Sequence, residues 1–325
     1  MKVCIFGAGA IGGWIGANLA KHGHVVSMVA RGDNLKAIQA NGLTLTTSQG
    51  SAFTQAVFAS ASASDIGIQD LVIVCVKAQA MPEVAKAISP LLGKETIVLS
   101  AMNGVPWWFF DGFGGKFQGT RLSSIDPIGD IANSISTQHI IGCVVHASCS
   151  APAPGKVHQH FGNKLIVGEP NGSDSPRLRA LVAALSAAGF EAVQTQEIQK
   201  EAWYKLWGNM TINPISAITG ATTDKILNDD LVRGFVSSIM LEAKAIGACI
   251  GIPIAQQPSD RHAVTAKLGA FKPSMLQDVE AGKSIELDAL VTVVKELGQL
   301  TQVPTPFTDA LLGLSRLFAR QRGLY

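Results

Sequence analysis

Lys2-Val3-Cys4-Ile5-Phe6-Gly7-Ala8-Gly9-Ala10-Ile11-Gly12 is the stretch of sequence that decides the fold. It opens with a short apolar run, which ends at the first glycine. Apolar residues then recur with helical spacing, through Ile15 and Leu19, until Gly23. A second apolar run, Val25 to Ala30, follows directly. This order predicts a strand, a glycine turn, a helix and a second strand within the first thirty-one residues.

The glycine turn has the Gly-x-Gly-x-x-Gly spacing that is typical of dinucleotide-binding proteins. In such a turn Gly7 permits the tight bend, Gly9 lets the backbone approach a pyrophosphate, and Gly12 lets the helix pack closely on the strand. The helix N-terminus adds free N–H groups and a partial positive charge. A purely structural turn is the alternative, because 33 of the 325 residues are glycine. The position between a strand and a helix favours cofactor binding by Gly7, Ala8, Gly9, Ala10, Ile11 and Gly12.

The same region has a second alternative, because the stretch from Val3 to Ala20 carries no charge and is similar to a signal peptide or a membrane span. Five glycines and Asn18 lie within it, and a strand follows at once. These features favour a folded turn, so we expect no membrane partner.

The composition is that of a soluble globular enzyme, and the length of the chain suggests two domains. The chain has 325 residues, of which 47% are hydrophobic and 15% charged, and its formal net charge is +2. Without a basic stripe, no nucleic-acid partner is expected. The five cysteines are odd in number and form no CxxC pair. We therefore predict reduced thiols, a cytoplasmic location and no metal site.

The middle of the chain continues the alternation of strands and helices. Two apolar runs, Leu71 to Val76 and Thr96 to Ser100, are typical of buried parallel strands. We predict an α/β domain with a Rossmann-type, doubly wound sheet in residues 1–196. Short β segments broken by prolines are expected within residues 140–169. Helical periodicity then predicts an all-α domain in residues 197–325.

Four candidate binding residues fall at the ends of predicted strands, namely Gly7, Arg31, Lys77 and Asn103. In doubly wound sheets, ligands bind beyond the carboxyl ends of the strands. Each position alone has an ordinary explanation as a surface charge or a turn. Their shared position favours a cofactor site.

The identity of the cofactor depends on Arg31, which lies about twenty residues beyond the glycines. An acidic residue at this position would hold the ribose 2′-hydroxyl of NAD, whereas an arginine accommodates the 2′-phosphate of NADP(H). The sequence therefore predicts NADP(H). Asp33 is the alternative, because a different loop conformation brings it to the ribose and favours NADH.

A second group of polar residues lies in the predicted helix Ile198 to Ile212. Lys205, Asn209 and Asn213 follow one another at intervals of four, which places them on one helical face. Pro214 is expected to end the helix directly after them. A solvated stripe is the alternative, although asparagine has a low helix propensity and suits such a stripe poorly.

Two acidic residues, Glu286 and Asp288, precede the apolar face of a later helix. Because they are two positions apart, they cannot share a helical face. Each is either a site residue or a favourable charge near a helix N-terminus, and spacing alone does not decide between the two.

Taken in order, these motifs resemble those of the ketopantoate reductase (2-dehydropantoate 2-reductase) family over nearly the full chain. The matching segments are Gly7 to Gly12, Val76-Lys77-Ala78, Asn103-Gly104, Lys205-Leu206 to Asn209, Asn213-Pro214, Pro273 to Asp278 and Glu286-Leu287-Asp288. The resemblance implies a Rossmann domain followed by an all-helical domain, in an NADPH-dependent enzyme of pantothenate synthesis. It implies that Lys205 is the general acid, and that Glu286 is a second catalytic residue, which holds the substrate. The substrate-binding residues that it implies are Asn103, Asn209, Asn213 and Ser274, and Asn103 and Lys77 would also flank the cofactor.

The reaction implied by the resemblance is reduction of a 2-oxo acid, ketopantoate, to pantoate. Hydride goes from NADPH to the 2-oxo carbon, and Lys205 donates the proton. Apolar neighbours lower the pKa of a lysine and a nearby Glu286 raises it, so the sequence leaves the balance open. One alternative is a reductase of the same fold that acts on a different, bulkier 2-oxo acid or ketone. A more remote one is a non-catalytic NADP(H)-binding regulator, which the presence of Lys205 and Glu286 disfavours.

An aromatic loop departs from the family pattern, with Trp107, Trp108, Phe109, Phe110 and Phe113 within seven residues. If exposed together, they would form an apolar patch that soluble monomers rarely carry. One hypothesis is that they pack on the helical domain or on the second subunit of a homodimer. The other is that they line the substrate pocket as a lid hinged at Gly112, Gly114 and Gly115, which favours a substrate bulkier than ketopantoate.

Overall fold

The chain forms two compact units in the computed structural model, which describes all residues from Met1 to Tyr325. The first unit contains Met1–Gly112 and Ile128–Ile198, and the second contains Phe113–Pro127 and Gln199–Tyr325. The domain division expected from the sequence has a single boundary between residues 196 and 197. It therefore does not anticipate that residues 113–127 join the helical unit.

The first unit is built on one mixed sheet. Its ten strands are β1 Lys2–Phe6, β2 Val25–Val29, β3 Leu43–Thr46, β4 Ala52–Gln55, β5 Phe58–Ser60, β6 Leu71–Val74, β7 Ile97–Ser100, β8 Ile140–Ala153, β9 Lys156–Gly168 and β10 Glu191–Gln194. The strand order is β4-β3-β9-β8-β7-β6-β1-β2-β5, and β10 pairs with β9. The helices of this unit are α1 Ala10–Lys21, α2 Gly32–Asn41, α3 Met81–Ala87, α4 Asp130–Ser134 and α5 Pro176–Ala187. Short 3₁₀ turns occur at Ala63–Asp65, Ala78–Ala80, Ser89–Leu91 and Thr137–His139, and in the second unit at Gly115–Phe117.

The parallel half of the sheet has the order β5-β2-β1-β6-β7, as expected for a Rossmann-type fold. Val3 lies opposite Val26 of β2 on one side and opposite Leu71 of β6 on the other. β1 and β6 are buried on both faces, because their apolar runs leave no polar face for solvent. The predicted fold class is confirmed.

The other half of the sheet corrects the expectation of short β segments in residues 140–169. Two long strands, β8 and β9, form an antiparallel hairpin there. Pro152 lies where the pairing register shifts between Ser150 and Ala153, and Gly155 turns the chain with φ of 70°. Proline is tolerated at such an irregularity because no regular ladder hydrogen bond is lost. The prolines therefore sit at the tip of the hairpin and do not divide it.

Helix α1 packs closely on the sheet because three of its residues are glycines. A Cβ atom added at Gly12 would lie 2.9 Å from Ile5 Cγ2, and one at Gly13 would lie 2.5 Å from Val157 Cγ2. Trp14 extends the buried core by an edge-to-face contact with Phe190, with ring centroids 5.0 Å apart. These contacts fix the helix N-terminus at the end of β1.

All regular secondary structure of the second unit is helical, as expected. Its helices are α6 Ile198–Thr219, α7 Thr223–Asn228, α8 Asp230–Cys249, α9 Pro258–Ala266, α10 Ser274–Glu280, α11 Val293–Thr301 and α12 Pro306–Gln321, with a π-helical turn at Asp288–Thr292. Helix α6 packs on α8, where Trp207 Nε1 donates a hydrogen bond of 2.6 Å to the Met240 carbonyl. None of the helices combines the length and the apolar character needed to span a bilayer.

The expectation that Pro214 ends its helix is wrong, because α6 continues through it to Thr219. An interior proline removes one backbone hydrogen bond and crowds the preceding turn, at a cost of about 3 kcal/mol. Every residue from Met210 to Ala217 is buried, so packing outweighs this local cost. The row of Lys205, Asn209 and Asn213 thus lies within the helix and not at its end.

The segment 113–127 is fastened to the helical unit by Glu296 of α11. Its carboxylate accepts hydrogen bonds from the backbone N–H groups of Ser123 and Ser124, at 2.6 and 2.9 Å, and from both serine hydroxyls. Burial raises the pKa of Glu296, but the hydrogen bonds from Ser124 and Ser123 outweigh it and hold the pKa below its usual value. The ionised carboxylate is therefore the form that stabilises the fold.

Replacing Glu296 with glutamine is expected to lower the free energy of unfolding at pH 7 by about 1–2 kcal/mol, allowing for the partial exposure of the group. A carboxyl whose pKa is lowered in the folded state stabilises the fold at pH values above its pKa in the unfolded chain. This contribution is lost as the pH falls through the pKa of the folded state. The difference in stability between wild type and variant should thus shrink as the pH falls below the usual pKa of a glutamate, about 4.3. Hydrogen exchange at the amides of Ser123 and Ser124 provides the local measurement.

The matched control is Glu280→Gln, which removes an exposed carboxylate that pairs with Lys272 at 2.7 Å in the same unit. It should leave exchange at Ser123 and Ser124 unchanged. Equal protection of these two amides in wild type and Glu296→Gln would contradict the assignment.

Candidate functional site

The four strand-end residues predicted from the sequence follow neighbouring parallel strands. Gly7 follows β1, Arg31 follows β2, Lys77 follows β6 and Asn103 follows β7. Because the carboxyl ends of adjacent parallel strands meet at one edge of a sheet, all four lie at the same edge of the first unit. Lys77 and Asn103 are half-buried there.

The glycine turn has a geometry that requires glycine at two of its three glycine positions, Gly7 and Gly12. Gly7 has φ of 109°, in the left-handed region that other residues rarely adopt. A Cβ atom at Gly12 would lie only 2.1 Å from the Gly7 carbonyl oxygen. A Cβ atom at Gly9 would meet nothing within 4 Å, so this side of the turn faces open space. The turn is therefore closed towards the strand and open at the helix N-terminus, where a phosphate would lie.

A cleft with a volume of about 270 Å³ opens on this turn. The polar and turn residues that line it are Gly7, Ala8, Gly9, Arg31, Asn34 and Glu83. Of the predicted cofactor residues, Ala10, Ile11, Gly12, Lys77 and Asn103 do not line this cleft. The structure thus brings Arg31 to the glycine turn and leaves Lys77 and Asn103 further along the same edge.

Sequence reasoning missed two residues of the cleft, Asn34 and Glu83. Asn34 donates a hydrogen bond of 3.1 Å to the Ala8 carbonyl and accepts one of 3.0 Å from the Gly155 N–H, so it fastens the glycine turn to the hairpin tip. Glu83 forms an ion pair with Arg31. Its position in the first turn of the helix after Lys77 is the only sequence signal for it.

The alternative contact to the ribose, Asp33, does not line the cleft. Its exposed carboxylate lies 4.0 Å from Lys36 Nζ on the same helix. The geometry therefore places Arg31, and not Asp33, beside the glycine turn.

The predicted polar row on α6 lies in the second unit. Lys205 and Asn209 are half-buried, and Asn213 is only 6% exposed. Asn213 Nδ2 donates to Ser274 Oγ at 3.4 Å, which joins the end of the row to the first residue of α10. Asn213 and Ser274, separated by sixty-one residues in the chain, are thus brought together as a pair of polar groups.

Glu286 and Asp288 have different surroundings. Glu286 is half-buried between buried Ile285 and Leu287. Asp288 Oδ1 accepts hydrogen bonds of 2.9 Å from both Thr292 Oγ1 and Tyr325 Oη. Burial and the bond to Asp288 raise the pKa of Tyr325. Asp288 therefore holds together the π-helical turn, which leaves Glu286 as the candidate for chemistry.

The aromatic loop is buried for most of its length. Trp107, Trp108, Phe109 and Phe110 are all buried, and Phe113 is half-buried. Trp108 Nε1 donates a hydrogen bond of 2.9 Å to Ser100 Oγ, and its ring lies 2.4 Å from the position that a Cβ atom at Gly142 would take. These contacts lie inside the first unit, so Trp108 packs in the core of that unit.

The fold defines a class of two-domain proteins. In this class a Rossmann-type α/β unit with a glycine turn comes first in the chain, and an all-α unit follows it. The chain belongs to the ketopantoate reductase PanE/ApbA family. The model of that family matches residues 3–172, and the model of its C-terminal region matches residues 197–319. The chain is accordingly an oxidoreductase.

Individual relatives match over the whole chain. The 2-dehydropantoate 2-reductase of Mesorhizobium japonicum is 44% identical over 326 residues, the full length of both proteins. A crystal structure assigned to the ketopantoate reductases, from Ralstonia solanacearum MolK2, is 51% identical, covers 100% of this chain and 99% of that one, and superposes with a TM-score of 0.96. The 2-dehydropantoate 2-reductase of Geobacter metallireducens is 28% identical, with coverage of 98% and 100% and a TM-score of 0.85.

Proposed function

We propose that this chain reduces 2-dehydropantoate (ketopantoate) to pantoate with NADPH, as a step of pantothenate synthesis. The observation that carries the proposal is the row of Lys205, Asn209 and Asn213, joined to Ser274, in a chain that is 44% identical to a 2-dehydropantoate 2-reductase over its full length. An ammonium group and neutral amides suit a substrate that carries a carboxylate, a carbonyl and a hydroxyl group.

The first unit is proposed to hold the cofactor. The open side of Gly9 and the N–H groups at the start of α1 suit the pyrophosphate, and Arg31 in the cleft suits a 2′-phosphate. Lys77 and Asn103 are proposed to lie beside the rest of the cofactor, at the edge that they share with Gly7. When bound, NADPH supplies the hydride.

The second unit is proposed to hold the substrate and move the proton. Lys205 Nζ donates a proton to the oxygen atom that becomes the alcohol, because an alkoxide is too basic to form without one. Glu286 holds the substrate and balances the charge of the ammonium group, while Asn209, Asn213 and Ser274 offer hydrogen bonds to its remaining oxygens. Asn103 is proposed to contribute a further amide.

The proposal is tested by following NADPH oxidation at 340 nm with ketopantoate, with larger 2-oxo acids such as phenylglyoxylate, and with no keto substrate. We expect ketopantoate to give the highest kcat/KM. A higher kcat/KM with the aromatic acid would favour the bulkier-substrate alternative, and NADPH binding without turnover of any substrate would favour the regulator.

Replacing Arg31 with alanine is expected to lower kcat/KM for NADPH by roughly tenfold to 150-fold and to leave that for NADH nearly unchanged. The reason is that only NADPH carries the 2′-phosphate with which a guanidinium forms a charged hydrogen bond. Steady-state kinetics with both cofactors give the ratio of kcat/KM for NADPH to kcat/KM for NADH.

Arg179→Ala is the matched control, since it removes an exposed arginine of the same unit that pairs with Asp174 at 2.7 Å. It should leave the ratio unaltered. If Arg31→Ala also leaves the NADPH to NADH ratio unaltered, Arg31 does not bind the 2′-phosphate.

A further inference from the structure

The ion pair between Arg31 and Glu83 lies in the wall of the cleft beside the glycine turn. Arg31 Nη1 donates to Glu83 Oε2, and both residues line the cleft together with Gly7 and Gly9. Arg31 lies just after β2 and Glu83 lies in the first turn of α3, so the two residues are 52 positions apart in the chain. The partner of the arginine is therefore set by the fold and not by local sequence.

The pair contributes little to the stability of the fold. The side chains are 63% and 60% exposed. Exposed ion pairs of this kind contribute little, because solvent screens them and two long side chains must be held in one geometry. The stability of the fold therefore gives little reason for a carboxylate at this position.

The two possible cofactors differ at the 2′ position of the adenosine ribose, which the proposed function places beside Arg31. NADPH carries a 2′-phosphate dianion, which competes with Glu83 for the Arg31 guanidinium and is repelled by the carboxylate. NADH carries a 2′-hydroxyl, which can donate a hydrogen bond to a carboxylate. One residue of the pair thus favours NADPH, and the other opposes it.

We propose that Glu83 is a specificity-determining residue that limits the preference for NADPH by holding Arg31 and repelling the 2′-phosphate. The inference rests on the proposed function, because it assumes that the cleft takes the adenosine ribose of a nicotinamide cofactor. Glu83 touches neither the reacting carbon nor the proton donor in this proposal. Its effect is on the affinity for the two cofactors.

The test is calorimetric binding of NADPH and NADH, without keto substrate, to wild type and to Glu83→Gln. We expect the substitution to lower the Kd for NADPH by about three- to tenfold and to leave the Kd for NADH unchanged or slightly raised. Because exposed charges are screened by salt, the gain in NADPH affinity should shrink between about 0.05 and 0.5 M NaCl. When Arg31 is already replaced by alanine, Glu83→Gln should improve the affinity for NADPH by less, because there is no guanidinium group that the substitution can free from the carboxylate.

The control variant is Glu191→Gln, which removes the exposed carboxylate of another ion pair in the same unit, with Lys164 at 2.9 Å. It should not change either Kd. Thermal unfolding confirms that each variant is folded, and Glu83→Ala repeats the test without an amide.

The outcomes separate this inference from the proposed reaction. If the ratio of the two Kd values in Glu83→Gln stays within about twofold of the wild-type ratio, the inference is overturned, because the predicted change is larger. Weaker NADPH binding by Glu83→Gln would also overturn it, because the predicted change is in the opposite direction. If wild type binds neither nucleotide, the inference and the proposed function both fail. If the nucleotides bind with the expected shift but ketopantoate is not reduced, the role of Glu83 stands and only the proposed reaction is wrong.

Discussion

Replacing Lys205 with alanine is expected to lower kcat for ketopantoate reduction by about 10² to 10⁴ while NADPH still binds. A positioned general acid acts mainly in the transition state, where the carbonyl oxygen gains negative charge, so its loss lowers kcat more than it changes the affinity for the cofactor. Steady-state kinetics give kcat, and calorimetry gives the Kd for NADPH.

Two further measurements sharpen this prediction. Added methylammonium should restore part of the rate in Lys205→Ala, because a small ammonium ion can occupy the space left by the side chain. Lys200→Ala, at an exposed position of the same helix α6, is the matched control and should keep wild-type kcat. If Lys205→Ala retains more than about a tenth of wild-type kcat, the proton donor is another group.

Replacing Trp108 with alanine is expected to lower the free energy of unfolding by about 3–5 kcal/mol without changing the preference among 2-oxo acids. The side chain is 2% exposed, packs against Gly142 of β8 and donates its indole N–H to Ser100 at 2.9 Å. Its removal therefore leaves a cavity and a hydroxyl without its donor. Denaturant unfolding gives the stability, and kcat/KM for ketopantoate and phenylglyoxylate gives the preference.

Trp108→Phe is the matched variant, because it keeps most of the ring and removes the hydrogen bond. It should lower the free energy of unfolding by less than the alanine substitution does. It also provides a folded variant for the comparison of substrate preference if Trp108→Ala does not fold. A shift in substrate preference in folded Trp108→Phe, at unchanged stability, would restore the lid hypothesis for the aromatic loop.

The elements that the sequence predicts well are those whose signals are local. The glycine turn sits between β1 and α1 because the apolar run, the glycines and the helical spacing are adjacent in the first thirty-one residues. The same holds for the fully buried strand β6 and for the row on α6, where spacing alone fixes which residues share a face. The predicted strand-end positions also hold, because adjacent parallel strands end at one edge.

The features that the sequence could not predict depend on contacts between distant residues. Glu296 reaches Ser123 across 173 residues, and nothing near residues 113–127 marks them as part of the helical unit. Pro214 has the local signature of a helix end, which the burial of its neighbours overrides. Glu83 is an ordinary acidic residue of a helix start until the fold places it against Arg31.

The aromatic loop shows why composition alone is a weak guide to function. Five aromatic residues near a predicted active site suggest either a lid or an interface. The decisive fact is that Gly142 of β8, a residue far from the loop in the sequence, leaves room for the Trp108 ring.

The most direct test of ketopantoate reduction is the fate of the hydride. Purified enzyme is incubated with ketopantoate and NADPH that carries deuterium at the transferred position of the nicotinamide ring, and the product is analysed by mass spectrometry and NMR. The proposed reaction predicts pantoate that carries one deuterium at C2 and forms in step with NADPH oxidation. Pantoate without deuterium at C2, or no pantoate while NADPH and ketopantoate are both present, would contradict it.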